Sequence, residues 1–223
     1  ILDAFQKTYR QMQVVELMQE AKLIPGKKFP LSVGIKTAKH EILLLTDADC
    51  LPATEHWISS MQSAYEDQTE IVLGYGAFHK KKGWLNKLIR WECYHTALQY
   101  FSYAKAGLPY MGVGRNLSYR KRVFYRHNGF TSHHQISGGD DDLFVNMAAN
   151  KSNTRIQLDP NSFTLSKPAT NWKQWMRQKN RHYSTGKYYK AIHKFILVFD
   201  LWMFLYYIIF APALIRKQMP FWK

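Results

Sequence analysis

A chain of 223 residues with 46% hydrophobic content can bury the core of one large domain or two small ones, which excludes a disordered tail. Its 31 Lys and Arg against 16 Asp and Glu give a formal charge of +15. That balance points to a polyanionic partner, whether nucleic acid, an anionic membrane surface or phosphorylated small molecules. Two cysteines, Cys50 and Cys93, are too few for a disulfide framework or a cysteine zinc cluster, and they fit a reducing compartment.

The chain starts at Ile1 directly in helical pattern and ends on "QMPFWK", which reads as a piece of a longer protein. Apolar residues from Ile1 to Met18 follow one helical face, with a short strand expected at 13–17. "IPGKKFP" punctuates the chain with two prolines and a glycine, and "LSVGIKTAKHE" reads as a helix on Leu31, Ile35 and Ala38. The apolar run at 42–46 predicts a strand buried on both faces of a parallel sheet. "TEHWISSMQSAYED" predicts a helix, "EIVLGYGAF" a strand, and residues 84–103 a long aromatic-rich helix. A strand, a turn and a short helix follow in "YMGVGRNLSYRKRVFYRHNGF", then a helix from "GGDDD", then two short strands around Asp159-Pro160-Asn161. Helix and strand alternate throughout, which is α/β grammar.

The run from Phe195 to Ile215 holds a single charge, Asp200, in 21 residues, long enough to span about 30 Å of hydrocarbon. Its thirteen Leu, Ile, Phe and Val residues outweigh the aspartate by about 1 to 5 kcal/mol on an insertion scale. A spanning or re-entrant helix is expected. Lys187, Lys190 and Lys194 ahead of it favour a cytoplasmic N-terminal side. The competing reading is an interfacial or buried helix kinked at Pro212.

Three constellations carry chemistry. "TDADC" ends the strand at 42–46 with Asp47 and Asp49, and in an extended segment residues i and i+2 point the same way. Two hard oxygens on one side can grip Mg²⁺ or Mn²⁺, although a solvated loop would look the same. "SGGDDDLF" places Asp140, Asp141 and Asp142 in succession. A helix cap explains one or two of them; packing all three raises at least one pKa, as a general base near neutrality needs. "NWKQWMRQKNRHYSTGKYYK" interleaves cations with Trp172, Trp175, His182, Tyr183, Tyr188 and Tyr189, which suits an amphipathic helix at a membrane or single-stranded nucleic acid.

In this order the motifs resemble a family 2 inverting glycosyltransferase with a GT-A fold, of the membrane-associated bacterial type, from Gly26 to about Tyr189. "GKKFPLSVGIKTAKHEILLLTDADC" is similar to the Lys-rich helix and the strand ending in D-x-D. "GVGRNLSYRK" resembles the segment lining the sugars, "GGDDDLF" the acidic acceptor-side motif and "QKNRHYSTG" the Q-x-x-R-W segment, with His182 where the family has Trp. The family's first nucleotide-binding strand would precede Ile1.

The resemblance implies a GT-A-like, Rossmann-like mixed sheet flanked by helices, with residues 1–190 catalytic and residues 191–223 membrane-associated or transmembrane. It implies a nucleotide-sugar donor, a glycan or lipid-linked acceptor and a divalent cation, Mg²⁺ or Mn²⁺. Asp140, with Asp141 second, would be the base; Asp49 with Asp47 would hold the metal. Asp47, Lys28, Lys36, Gln178, Arg181 and His182 would face the donor diphosphate, and Gly114, Arg115, Asn116, Gly139 and Trp175 the sugar or acceptor. A place at the inner membrane with the catalytic part cytoplasmic follows, and no nucleic acid is expected. The residues alone leave two rivals: a metal-dependent nucleotidyltransferase or phosphoesterase, and a basic module binding nucleic acid or anionic lipid.

Overall fold

The computed structural model describes residues 2–17 and 26–218, with side chains along the last helix as far as Tyr206. In chain order the elements are α1 (Leu2–Thr8), α2 (Lys28–Thr37), β1 (Ile42–Leu45), β2 (Cys50–Pro52), α3 (Trp57–Ser63), β3 (Ile71–Leu73), β4 (Gly76–Phe78) and α4 (Trp84–Lys105). Then come β5 (Leu117–Arg120), α5 (Lys121–Arg126), α6 (Asp142–Ala148), β6 (Thr154–Ile156), β7 (Thr164–Ser166), α7 (Trp172–Gly186) and α8 (Ala191–Gln218). The expected helical pattern at Met18 and the start of the "IPGKKFP" punctuation lie outside the described residues. The strand expected at 13–17 does not form: Val15 and Leu17 are exposed, and so short an alternation offers too little apolar face to fix a register.

The strands make two sheets, ordered β1-β5-β3-β6 and β2-β7-β4. β5 runs antiparallel to both β1 and β3, whereas β3 and β6 are parallel. In the second sheet β7 is antiparallel to β2 and parallel to β4. The architecture is therefore a mixed α/β fold. The expectation for β1 needs correcting: it pairs antiparallel with β5, lies at an edge among the described strands, and buries only Leu43. The fully buried apolar strand is β3, whose three residues are all inaccessible.

"EIVLGYGAF", read as one strand, divides between the two sheets as β3 and β4. The division falls at Gly74, where a Cβ would come 2.5 Å from Asn116 Nδ2; only a glycine lets the chain cross that side chain. The strands around Asp159-Pro160-Asn161 likewise join different sheets instead of forming a hairpin. Aromatic side chains fill the space between β5 and α6, with Phe144 4.8 Å from Tyr119 and 5.8 Å from Phe130, centroid to centroid. α6 is thereby fixed against the sheet, and its N-terminal aspartates with it.

α8 lies antiparallel along α4. Phe204 packs against His95 and Trp91 at 5.6 and 6.4 Å, and four residues earlier on α8 the Asp200 carboxylate takes a hydrogen bond from Gln99, four residues later on α4, with Tyr103 beside it. The one charge in the hydrophobic run is thus satisfied by α4. The expected span from 195 to 215 passes beyond Tyr206, outside the described side chains. Among the described residues no helix is long and apolar enough to cross a membrane.

Phe144→Ala should cost about 3 to 5 kcal/mol, because the cavity between the rings of Tyr119, Phe124 and Phe130 cannot collapse without moving β5. Urea unfolding of the two proteins measures it as a lowered midpoint at unchanged slope.

Candidate active site

The chain reaches the site first through Gly26 and the two lysines after it. Gly26 has φ 79°, and a Cβ there would meet the Ser137 carbonyl at 2.5 Å. This tight approach seats the start of α2 on the loop before Asp140. Lys28 is 1% exposed and gives its ammonium to the carbonyls of His133 and Ile136 at 2.6 and 2.7 Å. Its expected role at the donor is therefore corrected: both contacts are structural, and they pin the same loop. Lys36 is corrected too. It is exposed in the last turn of α2, next to Lys121, whose own N–H bonds Glu41 at the start of β1. That is the end of β1 away from Asp47.

Lys27, which the sequence reading passed over, faces the cleft. Its ammonium lies 2.7 Å from Asp47 Oδ1 and 3.1 Å from Asp140 Oδ2. Desolvation pulls its pKa down, but the charges of Asp140, Asp47 and Asp141 together raise it. One lysine thus joins the D-x-D motif to the triple aspartate.

Asp47 and Asp49 come together by a turn, not by strand alternation. The Asp47 carbonyl accepts the Cys50 N–H at 3.0 Å, and Thr46 Oγ1 ties the turn to the Arg115 carbonyl at 3.0 Å. Carboxylate oxygens of Asp47 and Asp49 and the Cys50 Sγ lie within 4.8 Å of one another. Two carboxylates suit a hard cation such as Mg²⁺ or Mn²⁺; the thiol, 2.9 Å from Ser166 Oγ, is a softer and poorer ligand for either.

The three consecutive aspartates occupy three different environments. Asp141 accepts the Gly114 N–H at 2.7 Å on one oxygen and the Asp142 N–H at 2.8 Å on the other, capping α6. Asp142 accepts the Leu143 N–H at 2.8 Å, the Tyr189 hydroxyl at 2.8 Å and the Thr185 hydroxyl, which bind α7 and its C-terminal turn to α6. Asp140, 6% exposed, keeps its carboxylate toward Lys27. Burial first, and the charge of Asp141 second, push Asp140 up to about 6 against the pull of Lys27. Asp142 is also pushed up to about 6, by burial and Asp141, against its hydroxyl donors.

Of the residues expected at the sugar, Gly114 is in the cluster: a Cβ on it would be 3.2 Å from both Lys27 Nζ and Asp141 Oδ2. Arg115 lies on the wall, its guanidinium 4.3 Å over the Phe78 ring and 3.4 Å from Cys93 Sγ. Asn116 is corrected. It is 0% exposed, and its amide serves Trp57 Nε1 and the carbonyls of Tyr75 and Ser162 at 3.1, 3.1 and 2.7 Å. Gly139 is corrected as well: it is buried at φ 90°, with Leu143 Cδ1 2.5 Å from where a Cβ would stand. Its work is to turn the chain into Asp140.

α7 starts at Asn171, whose side chain accepts the Gln174 N–H at 2.9 Å while Gln174 Oε1 accepts the Thr170 N–H at 2.9 Å, a reciprocal cap. Lys179 pairs with Glu92 of α4 and closes one side of the cleft. His182, crowded by protein yet open to solvent at the mouth, has its pKa lowered by desolvation, with Asp141 pulling it up and Arg181, Lys179 and Arg115 pushing it down. Arg181 beside it is exposed, Gln178 is half-buried one turn earlier, and Trp175 packs edge-on against Trp172 at 5.4 Å.

A turn of two carboxylates, a buried aspartate of raised pKa and several cations thus come together at one place in the fold. The chain belongs to the glycosyltransferase-like family 2, whose family model matches residues 1–185. In fold it is similar to the mannosyltransferase PcManGT from Pyrobaculum calidifontis, solved in complex with GDP-Man and Mn²⁺, at TM-score 0.57 and 17% identity. The match covers 78% of this chain and 45% of that one, so the chain spans less than half of its neighbour's length. No curated protein sequence matches.

The site generates a stability test with a definite sign. Asp140 has a folded pKa near 6 against an ordinary value of 3.8, so its contribution is full below about pH 4 and lost as the pH rises through 6. Asp140→Asn, which keeps the neutral form's shape, should be about 1 to 3 kcal/mol more stable than the wild type at pH 7.5. That advantage should shrink steadily on acidification and vanish near pH 4. Thermal unfolding of both proteins across this range measures it, and a constant offset would contradict the assignment.

Proposed function

We propose that the protein transfers a sugar from a nucleotide-sugar to a hydroxyl of a glycan or lipid-linked acceptor with inversion, using a divalent cation. The observation that carries this is the Lys27 ammonium shared by Asp47 and Asp140 at 2.7 and 3.1 Å. It sets a metal-type carboxylate pair and a base-type carboxylate at one cleft, yet Asp140 is outside the Asp47, Asp49 and Cys50 group. A two-metal phosphoesterase would draw all its acids onto ions about 3.5 to 4 Å apart. Family membership over residues 1–185 favours transfer over that rival chemistry.

In the proposed reaction the acceptor oxygen attacks the anomeric carbon while Asp140 takes the hydroxyl proton. The bond from that carbon to the diphosphate oxygen breaks on the opposite face, and the nucleoside diphosphate leaves with the bonding electrons. Asp140 is preferred to Asp141 because both oxygens of Asp141 already accept backbone N–H groups. Asp49, with Asp47, would hold Mg²⁺ or Mn²⁺, whose chemistry there is to neutralise a diphosphate. Lys27 and Arg181, with His182, would add positive charge around it. The neighbour's GDP-Man and Mn²⁺ support a nucleotide-sugar donor and that cation.

Residues 1–190 would carry this catalysis, and residues 191–223 would associate with the cytoplasmic face of the inner membrane. The hydrophobic run and the lysines before it support that reading.

Asp49→Ala should abolish both Mn²⁺ binding and transfer, whereas Asp140→Asn should abolish transfer and spare nucleotide-sugar binding. Calorimetry with Mn²⁺ and a radiolabelled transfer assay separate the two effects, and full turnover by either variant sinks its assignment. Since Asp140 must be ionised to accept a proton, kcat/KM should fall about tenfold per unit below pH 6.

A further inference from the structure

Resting on the membrane association proposed above, we propose that the outer face of α4, continued onto α8, is the surface by which the protein lies on an anionic bilayer. Trp84, Trp91, Tyr94 and Leu98 are exposed, and their spacing puts them in one stripe along the helix. Trp84 is 81% exposed, the most open large apolar side chain among the described residues, with Lys87 Nζ 4.6 Å over its ring. The opposite side of α4 faces the protein: Glu92 pairs with Lys179 and Cys93 meets Arg115. α8 turns His193 and Phe204 inward and leaves Phe195, Val198, Phe199, Trp202 and Leu205 exposed beside this stripe. Rings with one apolar and one polar end are the side chains that favour the boundary between headgroups and acyl chains.

Charge selects the occupant. Lys80, Lys81 and Lys82 are exposed in the turn ahead of Trp84, where Gly83 at φ 106° has nothing within 4 Å of a notional Cβ. From His79 to Trp91 there is no acid. A second copy of the chain would bring these lysines against themselves, and a neutral apolar partner would leave them unmatched. A spread of negative headgroups over a fluid apolar layer matches both halves of the face. Because α4 also walls the cleft, the cleft would sit about one helix diameter, ~10 Å, from the lipid. A lipid-linked acceptor could reach it there.

The test is cosedimentation of the full chain with vesicles of phosphatidylcholine alone or mixed with phosphatidylglycerol. The wild type should bind the mixed vesicles and hardly the neutral ones. Replacing Lys80, Lys81 and Lys82 by Gln should weaken binding on the order of a hundred-fold at low salt. Trp84→Ser with Tyr94→Ser and Leu98→Ser should release the protein even with its lysines intact. Both variants alter exposed side chains and should keep the wild-type circular dichroism and nucleotide-sugar hydrolysis. Variants that bind as the wild type does would overturn the docking face and leave membrane association to the rest of 191–223. A wild type that binds neither vesicle would overturn the face together with the membrane reading. Hydrolysis of a nucleotide-sugar by the same preparation judges the transfer reading independently.

Discussion

The cleft is organised by one ammonium between two carboxylates. Without Lys27, the half-exposed Asp47 and the buried Asp140 would face each other with no positive charge between them. The lysine holds the end of β1 and the loop before α6 in register. Three further contacts serve the same join: Lys28 on the His133 and Ile136 carbonyls, Thr46 on the Arg115 carbonyl, and the Gly114 N–H on Asp141. The end of β1, the segment at Gly114 and Arg115 and the acidic loop are far apart in sequence, and these bonds make them one wall. A metal-bound diphosphate entering the cleft would meet an ammonium already bonded to one of the metal's expected ligands.

What was legible in the sequence depended on whether local pattern or long-range contact fixed the residue. Alternating helix and strand, the D-x-D at a strand end and the three aspartates at a helix start are local, and they could be read directly. The topology was not: nothing in "LSYR" says that β5 enters antiparallel between β1 and β3, because that choice is made by partners outside the segment. Lys27 and Lys28 show the same limit on a scale of one residue. Both follow Gly26, and only the start of α2 at Lys28 decides that one is buried on carbonyls while its neighbour faces the acids. Asn116 misled for a related reason, since an asparagine beside glycines looks the same whether it meets a sugar or three interior groups.

In the hydrophobic run at 195–215, composition alone leaves out the protein neighbours that the described part of α8 has. A window of apolar residues with one acid counts as a span when each side chain is scored against lipid. Yet Asp200 has Gln99 and Tyr103, and Phe204 has His95 and Trp91. The first three turns of α8 therefore have a protein surface on one side, and only the other side remains for a membrane.

The triple aspartate can now be understood as a division of labour imposed by hydrogen bonding. Asp141 gives both oxygens to backbone donors, and Asp142 gives its own to a backbone N–H and two hydroxyls. The bonds fix both side chains in place, and on Asp142 burial and the charge of Asp141 still outweigh them and push its pKa up to about 6. Asp140 has no such set of donors, sits deeper than solvent can screen, and feels the charge of Asp141. Its proton affinity is raised as a result, and Lys27 keeps it from rising further. The role proposed for Asp140, a base ionised at neutral pH that takes a proton in the transition state, calls for such an intermediate affinity. Three like charges in a row are therefore less a repulsive accident than a way to tune the first by anchoring the other two.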